Sequence, residues 1–106
     1  MKVNLSNAAW DVIEERQRQI EVEGYTPEID DAAGEFDLSV AGACYALAAG
    51  GDIWATLNPP PNWPWSREAW KQKNPRRDLV RAAALVIAEI ERMDRALLKT
   101  TTPAKY

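Results

Sequence analysis

The sequence predicts an all-α protein, a compact three- to four-helix bundle with a long Pro/Trp-rich connecting loop. Apolar residues recur at helical spacing in three segments, and capping residues precede these segments. No β-hairpin signal and no internal repeat interrupts this pattern. The 106 residues suffice for one modest core. We therefore expect a single helical domain over residues 1–98 and a flexible C-terminal tail over residues 99–106.

The first two helices are predicted from their caps and their apolar positions. The first is expected over residues 7–23, with Ser6 as its N-cap. The second is expected over residues 32–49, capped by Asp30 or Asp31. Because this second helix is apolar nearly all round, it is predicted to be central. One of its faces carries Phe36, Val40, Ala43 and Leu47, and the other carries Leu38, Ala41 and Tyr45.

An irregular connection is predicted over residues 52–74, because three consecutive prolines exclude a regular helix. It contains Trp63, Trp65 and Trp70. These indoles have two interpretations. They stack a nucleobase, or they wedge the proline-rich loop onto the core.

The third helix, expected from the cap Asn74 onward over residues 76–98, carries a charge where a leucine would be expected. A helical projection places Asp94 within an apolar stripe predicted to face the core. Arg16 likewise lies in the middle of the apolar stripe of the first helix. A buried charge is costly unless it is paired. Asp94 is therefore the expected partner of Arg16, with Glu35 as the alternative. The stripe consists of Leu79, Ala83, Val86, Ile90, Met93 and Leu97.

Composition limits the chemistry that the chain can perform. There is one cysteine and no histidine, which excludes a histidine general base and argues against zinc. Residues 1–60 hold 11 acidic and 3 basic residues (−8), and residues 61–106 hold 5 acidic and 10 basic residues (+5). The two halves pair in the fold or across a dimer, or they form a bipolar site in which acidic groups bind Mg²⁺ and basic groups bind phosphates. The net acidic charge argues against broad nucleic-acid binding.

Two sets of residues are candidates for such a site. The predicted Mg²⁺ ligands are Glu91, Asp94, Glu35 and Asp31. The predicted phosphate-binding residues are Arg76, Arg77, Lys73 and Arg16. The alternative for the first set is purely structural, with Arg16 and Asp94 as a buried ion pair. Other acidic residues, Asp11 and Glu15 on the first helix and Glu89 on the third, are expected at or near the solvent-facing side.

Four motifs resemble a family of small uncharacterised bacteriophage and prophage proteins: "ERQRQIEVEGYTPEIDD", "GEFDLSVAGACYA", "NWPWSREAWK" and "RRDLVRAAALVIAEIERMDRA". The resemblance covers roughly residues 10–96. More distantly, Glu35 and Glu91-x-x-Asp94 are similar to the all-α nucleoside triphosphate pyrophosphohydrolases of the MazG and dimeric dUTPase type. Those enzymes bind Mg²⁺ through an E-x-x-E and an E-x-x-D motif, whereas Leu38 stands here in place of the second glutamate.

These resemblances imply a phage-encoded nucleotide-binding protein, with Mg²⁺-dependent cleavage of a nucleoside triphosphate as its possible activity. The alternative is a non-enzymatic phage accessory protein that inhibits a host defence protein or sequesters a nucleotide signal. The wide apolar face of the third helix predicts a homodimer. No bilayer-length apolar run or leader segment is evident, so the expected location is the cytoplasm of the host cell, without membrane association.

Overall fold

The computed structural model describes residues 4–34, 36–51 and 58–100, and this part of the chain is all-helical, as predicted. None of its helices is long and apolar enough to cross a lipid bilayer. The helices are α1 (Asn7–Glu21), α2 (Pro27–Ala32), α3 (Asp37–Ala49), a short 3₁₀ helix (Arg67–Ala69) and α4 (Pro75–Thr100).

The two long helices begin at the predicted caps. The Ser6 side chain accepts a hydrogen bond from the Ala9 N–H at 3.1 Å, and the Asn74 side chain accepts one from the Arg77 N–H at 2.9 Å. Each cap satisfies an N–H group that has no partner within its helix. At its other end α4 continues to residue 100, two residues beyond the expected boundary, and residues 101–106 lie outside the described part.

The predicted second helix is in fact two helices, α2 and α3. Thr26 is the N-cap of α2, because its side chain accepts the Ile29 N–H at 3.3 Å, and Pro27 occupies the first helical position. Asp30 and Asp31 lie inside α2, so the prediction that one of them caps a helix was wrong. The Thr-Pro pair is the stronger start signal, since proline fits the first turn, where no N–H donor is needed.

The core is built from small residues because α3 and α4 approach each other closely. A Cβ atom added at Gly42 on α3 would lie 3.2 Å from the carbonyl oxygen of Ala82 on α4. α4 packs mainly against α3, and also against α1 and α2. The buried core residues are Leu38, Ala41, Cys44, Tyr45, Ala48, Val80, Ala82, Ala84, Leu85 and Ala88.

The described part of the connection, residues 58–74, lies on this core through its tryptophans. The Trp70 ring stacks on Tyr45 with a centroid distance of 4.6 Å, and Trp63 meets Tyr45 edge-on at 5.6 Å. The Tyr45 hydroxyl also accepts the Lys71 N–H at 3.0 Å. These contacts agree with the interpretation in which the indoles fasten the connection to the core. Residues 52–57 lie outside the described residues.

The apolar stripe predicted to face the core lies on the outer side of α4. Its members are exposed by 53% at Leu79, 46% at Val86, 52% at Ile90, 45% at Met93 and 41% at Leu97. The opposite face is buried instead. α4 is apolar over most of its circumference, and a helical projection alone cannot tell which of two apolar faces is the inner one.

Candidate functional site

Charged groups occupy much of the interior, although two of them were expected near solvent. Glu15 and Glu89 are only 2% and 3% exposed. Both are satisfied by arginine and by other donors, as a buried carboxylate requires. The buried polar and charged residues of the described part are Glu15, Arg16, Gln19, Asp30, Asp78, Arg81 and Glu89.

Arg16 is the centre of one buried cluster. Its Nε donates to Glu91 Oε1 at 3.0 Å, and its guanidinium also donates to Asp30 Oδ2 at 3.1 Å and to the Tyr25 carbonyl oxygen at 3.3 Å. The expected partner, Asp94, is exposed and forms no ion pair within residues 4–34, 36–51 and 58–100. The predicted Arg16–Asp94 pair was therefore wrong. Arg16 does face a carboxylate in the interior, but the carboxylates are those of α2 and of the preceding turn of α4.

The predicted Mg²⁺ ligands that the structure describes lie in different surroundings. Glu91 binds Arg16. Asp31 pairs with Arg95 at 2.8 Å and with Lys99 at 3.7 Å. The hydrogen bond from Arg95 holds the pKa of Asp31 below its usual value. Asp94 is separate and exposed. Glu35 lies outside the described residues, within which no three Asp, Glu or Cys side chains converge as a metal site.

A groove of about 560 Å³ lies between α1 and the beginning of α4. Acidic and basic residues of α1 form one edge of the groove. The first turn of α4, which Asn74 caps, forms the other edge. Three arginines and three carboxylates share this surface. The lining residues are Asp11, Glu14, Glu15, Arg18, Asn74, Arg76, Arg77 and Val80.

Glu15 forms the charged floor of the groove. Arg18 donates to both of its carboxylate oxygens, at 2.8 and 2.9 Å, and Arg77 and Gln19 donate to it as well. Burial by itself would raise the pKa of Glu15, but the two guanidinium groups outweigh burial and hold this pKa below its usual value. Glu15 is therefore an anion that fixes two arginines at the groove.

The rim of the groove is more exposed. Arg76 pairs with Asp11 at 2.8 Å, with 63% and 42% of their side chains accessible. Two of the predicted phosphate-binding residues, Arg76 and Arg77, thus line one groove. Lys73 does not line it, although its backbone N–H binds the buried Asp78 at 2.9 Å.

Arg16 lies outside the groove, and Arg18 belongs to it although the sequence analysis did not select it. Arg16 is committed to the buried cluster around Asp30. The spacing of Glu15 and Arg18, one helical turn apart, could have suggested their pairing. No local pattern could have suggested that Glu15 pairs with Arg77, which lies 62 residues away.

Two further hollows share lining residues with the groove or with each other. Glu15 and Arg18 also line a narrow hollow of about 20 Å³, which Tyr25 and Trp65 line as well. These two aromatic residues in turn line an apolar hollow of about 280 Å³ that reaches Asp30. Their ring centroids are 5.3 Å apart. Burial raises the pKa of Asp30, although the neighbouring Arg16 opposes this effect.

Comparison with known proteins leaves the chain without an assigned relative. The similarity to bacteriophage proteins and to all-α pyrophosphohydrolases thus remains a prediction from the quoted motifs. No family model, no curated protein and no solved structure matches this chain.

Proposed function

We propose that the groove between α1 and the start of α4 binds the phosphate groups of a nucleotide. The observation that supports this proposal is the grouping of Arg18, Arg76 and Arg77 around one cavity of about 560 Å³. A guanidinium group donates two parallel hydrogen bonds to a phosphate, which makes arginine well suited to this role. The N-terminal end of a helix adds a favourable potential for anions.

The existing ion pairs allow a phosphate to enter at low cost. The Arg76–Asp11 pair is largely exposed, and such pairs contribute only about 0–1 kcal/mol. A phosphate can therefore replace Asp11 as the partner of Arg76. Arg77 donates to the buried Glu15, and Arg18 donates to Glu15 and to Glu23, so that each guanidinium keeps some of its five N–H groups. Glu15 thus holds these two arginines in position before the ligand arrives.

The apolar hollow beside Trp65 is the best candidate for the base. Trp65 and Tyr25 offer aromatic faces on which a nucleobase can stack, and the Asp30 carboxylate can accept an N–H from its edge. Of the three tryptophans predicted to contact a ligand, Trp65 is the one that lines this hollow. Trp63 and Trp70 are assigned to packing against Tyr45.

Mg²⁺ is proposed to enter with the phosphates. It needs only one or two carboxylates, because phosphate oxygens and water complete its coordination. Glu14 and Asp11 fit this requirement, since both are carboxylates at the groove and Asp11 is released when a phosphate takes its arginine. Bound Mg²⁺ would neutralise phosphate charge and lower the pKa of a coordinated water molecule. Pyrophosphohydrolase activity is the corresponding enzymatic proposal.

Thermal unfolding with a panel of nucleotides tests binding. The panel contains dNTPs, NTPs, cyclic dinucleotides and ADP-ribose, each with Mg²⁺ or with EDTA. We expect at least one nucleotide to raise the melting temperature of the wild type, and Arg76→Gln to lose most of that rise. Arg95→Gln is the matched control, because Arg95 lies on the same helix in an ion pair outside the groove. It should keep the full rise.

Three outcomes decide between the candidates. A melting temperature that no nucleotide changes contradicts the proposal and favours the alternative, an accessory protein that binds a host protein. A rise that survives in both Arg76→Gln and Arg77→Lys places binding elsewhere and also contradicts it. Release of pyrophosphate from the bound triphosphate, assayed with Mg²⁺, separates an enzyme from a protein that sequesters a nucleotide.

A further inference from the structure

The outer face of α4 carries large apolar side chains, whereas the core on its inner face is rich in alanine. Leu79, Val86, Ile90, Met93 and Leu97 are all between 41% and 53% exposed. A soluble monomer rarely exposes a continuous apolar patch of this kind. The stripe therefore has the character of an interface.

The spacing of the stripe is that of a coiled-coil seam. Together with Ala83, the exposed residues follow one another at intervals of 4, 3, 4, 3 and 4 residues. This alternation is the heptad pattern in which a second helix packs along the first. From its first to its last residue the seam is about 27 Å long, at 1.5 Å per residue.

We propose that this seam binds the same seam of a second copy of the chain, with the two α4 helices antiparallel. One antiparallel register pairs every seam residue with another seam residue. In that register Leu79 lies opposite Leu97 of the second copy, Ala83 opposite Met93, and Val86 opposite Ile90. The symmetry of the spacing thus makes the seam self-complementary, which is what a two-fold interface requires.

Charge supports the same arrangement. Asp94 borders the seam, is exposed, and has no ion-pair partner within the part of the chain that the structure describes. In the antiparallel register Asp94 lies at the level of Ala82 of the second copy, so the two Asp94 side chains are about 18 Å apart along the axis, at 1.5 Å per residue. A parallel pair would bring these two unpaired carboxylates to the same level along the axis.

The exposed surface beside the seam continues onto α3. α3 lies beside the seam, because a Cβ atom added at Gly42 would lie 3.6 Å from Val86 Cγ2, and α3 adds the exposed Ala43 and Leu47. A standard interface buries on the order of 800 Å² per copy, so a stable dimer is expected to include these residues beside the seam.

The mass in solution tests the interface. We expect light scattering after size exclusion to give twice the 11.9 kDa of the chain for the wild type. Ile90→Lys places a charge in both central layers of the seam and should shift the mass to that of one chain. Val22→Lys is the matched control, since Val22 is 70% exposed but lies away from α4's seam at the end of α1. It should remain a dimer. A wild-type monomer, or an Ile90→Lys dimer, overturns the proposal.

Crosslinking tests the direction without relying on a charged variant. With a short bis-maleimide reagent, Leu79→Cys and Leu97→Cys should each remain uncrosslinked alone, whereas the double variant should form covalent dimers. Cys44 is fully buried, so the wild type is the unreactive control. Covalent dimers from either single variant would indicate parallel helices, and no covalent dimer from the double variant would exclude this register. Either result overturns the proposal.

Discussion

The guanidinium of Arg16 lies 3.1 Å from the carboxylate of Asp30, and both side chains are almost fully buried. The same guanidinium binds Glu91, so that one side chain on α1 contacts both α2 and α4. A guanidinium can satisfy several acceptors at once because its donors point outward in a planar fork. We conclude that this ion cluster sets how the three helices meet, a role attested for some buried polar groups.

The first prediction concerns Asp94, which the helical projection had assigned to the core. Because the side chain is exposed and forms no ion pair within the described residues, Asp94→Asn should change the free energy of unfolding by no more than about 0.5 kcal/mol. Urea denaturation gives this value. A loss of several kcal/mol would restore the original expectation that Asp94 is a buried partner of Arg16.

The second prediction concerns acid sensitivity. Burial opposes ionisation of Glu89, but hydrogen bonds from Ser39 and Arg92 outweigh burial and lower its pKa. The pKa of Glu15 is lowered in the same way. The unfolded state therefore takes up protons that the folded state does not, and stability is lost as the pH falls below about 4.5, the unfolded value. Melting temperatures between pH 3 and 7 should show this loss.

Two variants give the sign of each contribution. Glu89→Gln removes one group with a lowered pKa, so its melting temperature should fall less steeply with acid than that of the wild type. Asp30 has the opposite sign, because its raised pKa makes the folded state bind the proton more tightly. The melting temperature of Asp30→Asn should therefore fall more steeply with acid than that of the wild type. Identical slopes for the two variants would contradict these assignments.

The third prediction concerns the contact between α3 and α4 at Gly42. A valine there would place its Cβ atom 3.2 Å from the Ala82 carbonyl oxygen and its methyl groups against Leu85, so the helices would have to separate. Overpacking of this kind costs about 1–3 kcal/mol. Gly50→Val serves as a control, because Gly50 is exposed at the end of α3. Chemical denaturation should show the larger loss for Gly42→Val.

Much of the fold could be predicted because local signals determine it. The caps at Ser6 and Asn74 and the helical periodicity gave the boundaries of α1 and α4 to within about two residues, the usual uncertainty of helix ends. The inner face of α4 could not be predicted in this way. Both of its faces are apolar, and the choice between them depends on the close contact with α3 at Gly42, which no local pattern encodes.

The candidate site was less predictable than the fold. The basic stretch that opens α4 predicts Arg76 and Arg77 as phosphate-binding residues, and both line the groove. A helical projection places Glu15 on the polar side of the first helix and therefore predicts that it lies near solvent. The partner that makes burial of Glu15 possible, Arg77, is remote in sequence, and pairings of that kind depend on the packed structure.

The most direct test of the account is a double-mutant cycle on Arg16 and Asp30, measured as free energies of unfolding. Arg16→Gln leaves Asp30 buried without its cation and should cost about 3–5 kcal/mol. The double variant, which also carries Asp30→Asn, should lose less free energy of unfolding than the sum of the two single losses. The expected coupling energy is about 2 kcal/mol, which is within the usual range for residues in contact. The exposed pair Arg95 and Asp31 should show a much smaller coupling. Additive losses at Arg16 and Asp30 would contradict the claim that a guanidinium neutralises the carboxylates inside this bundle.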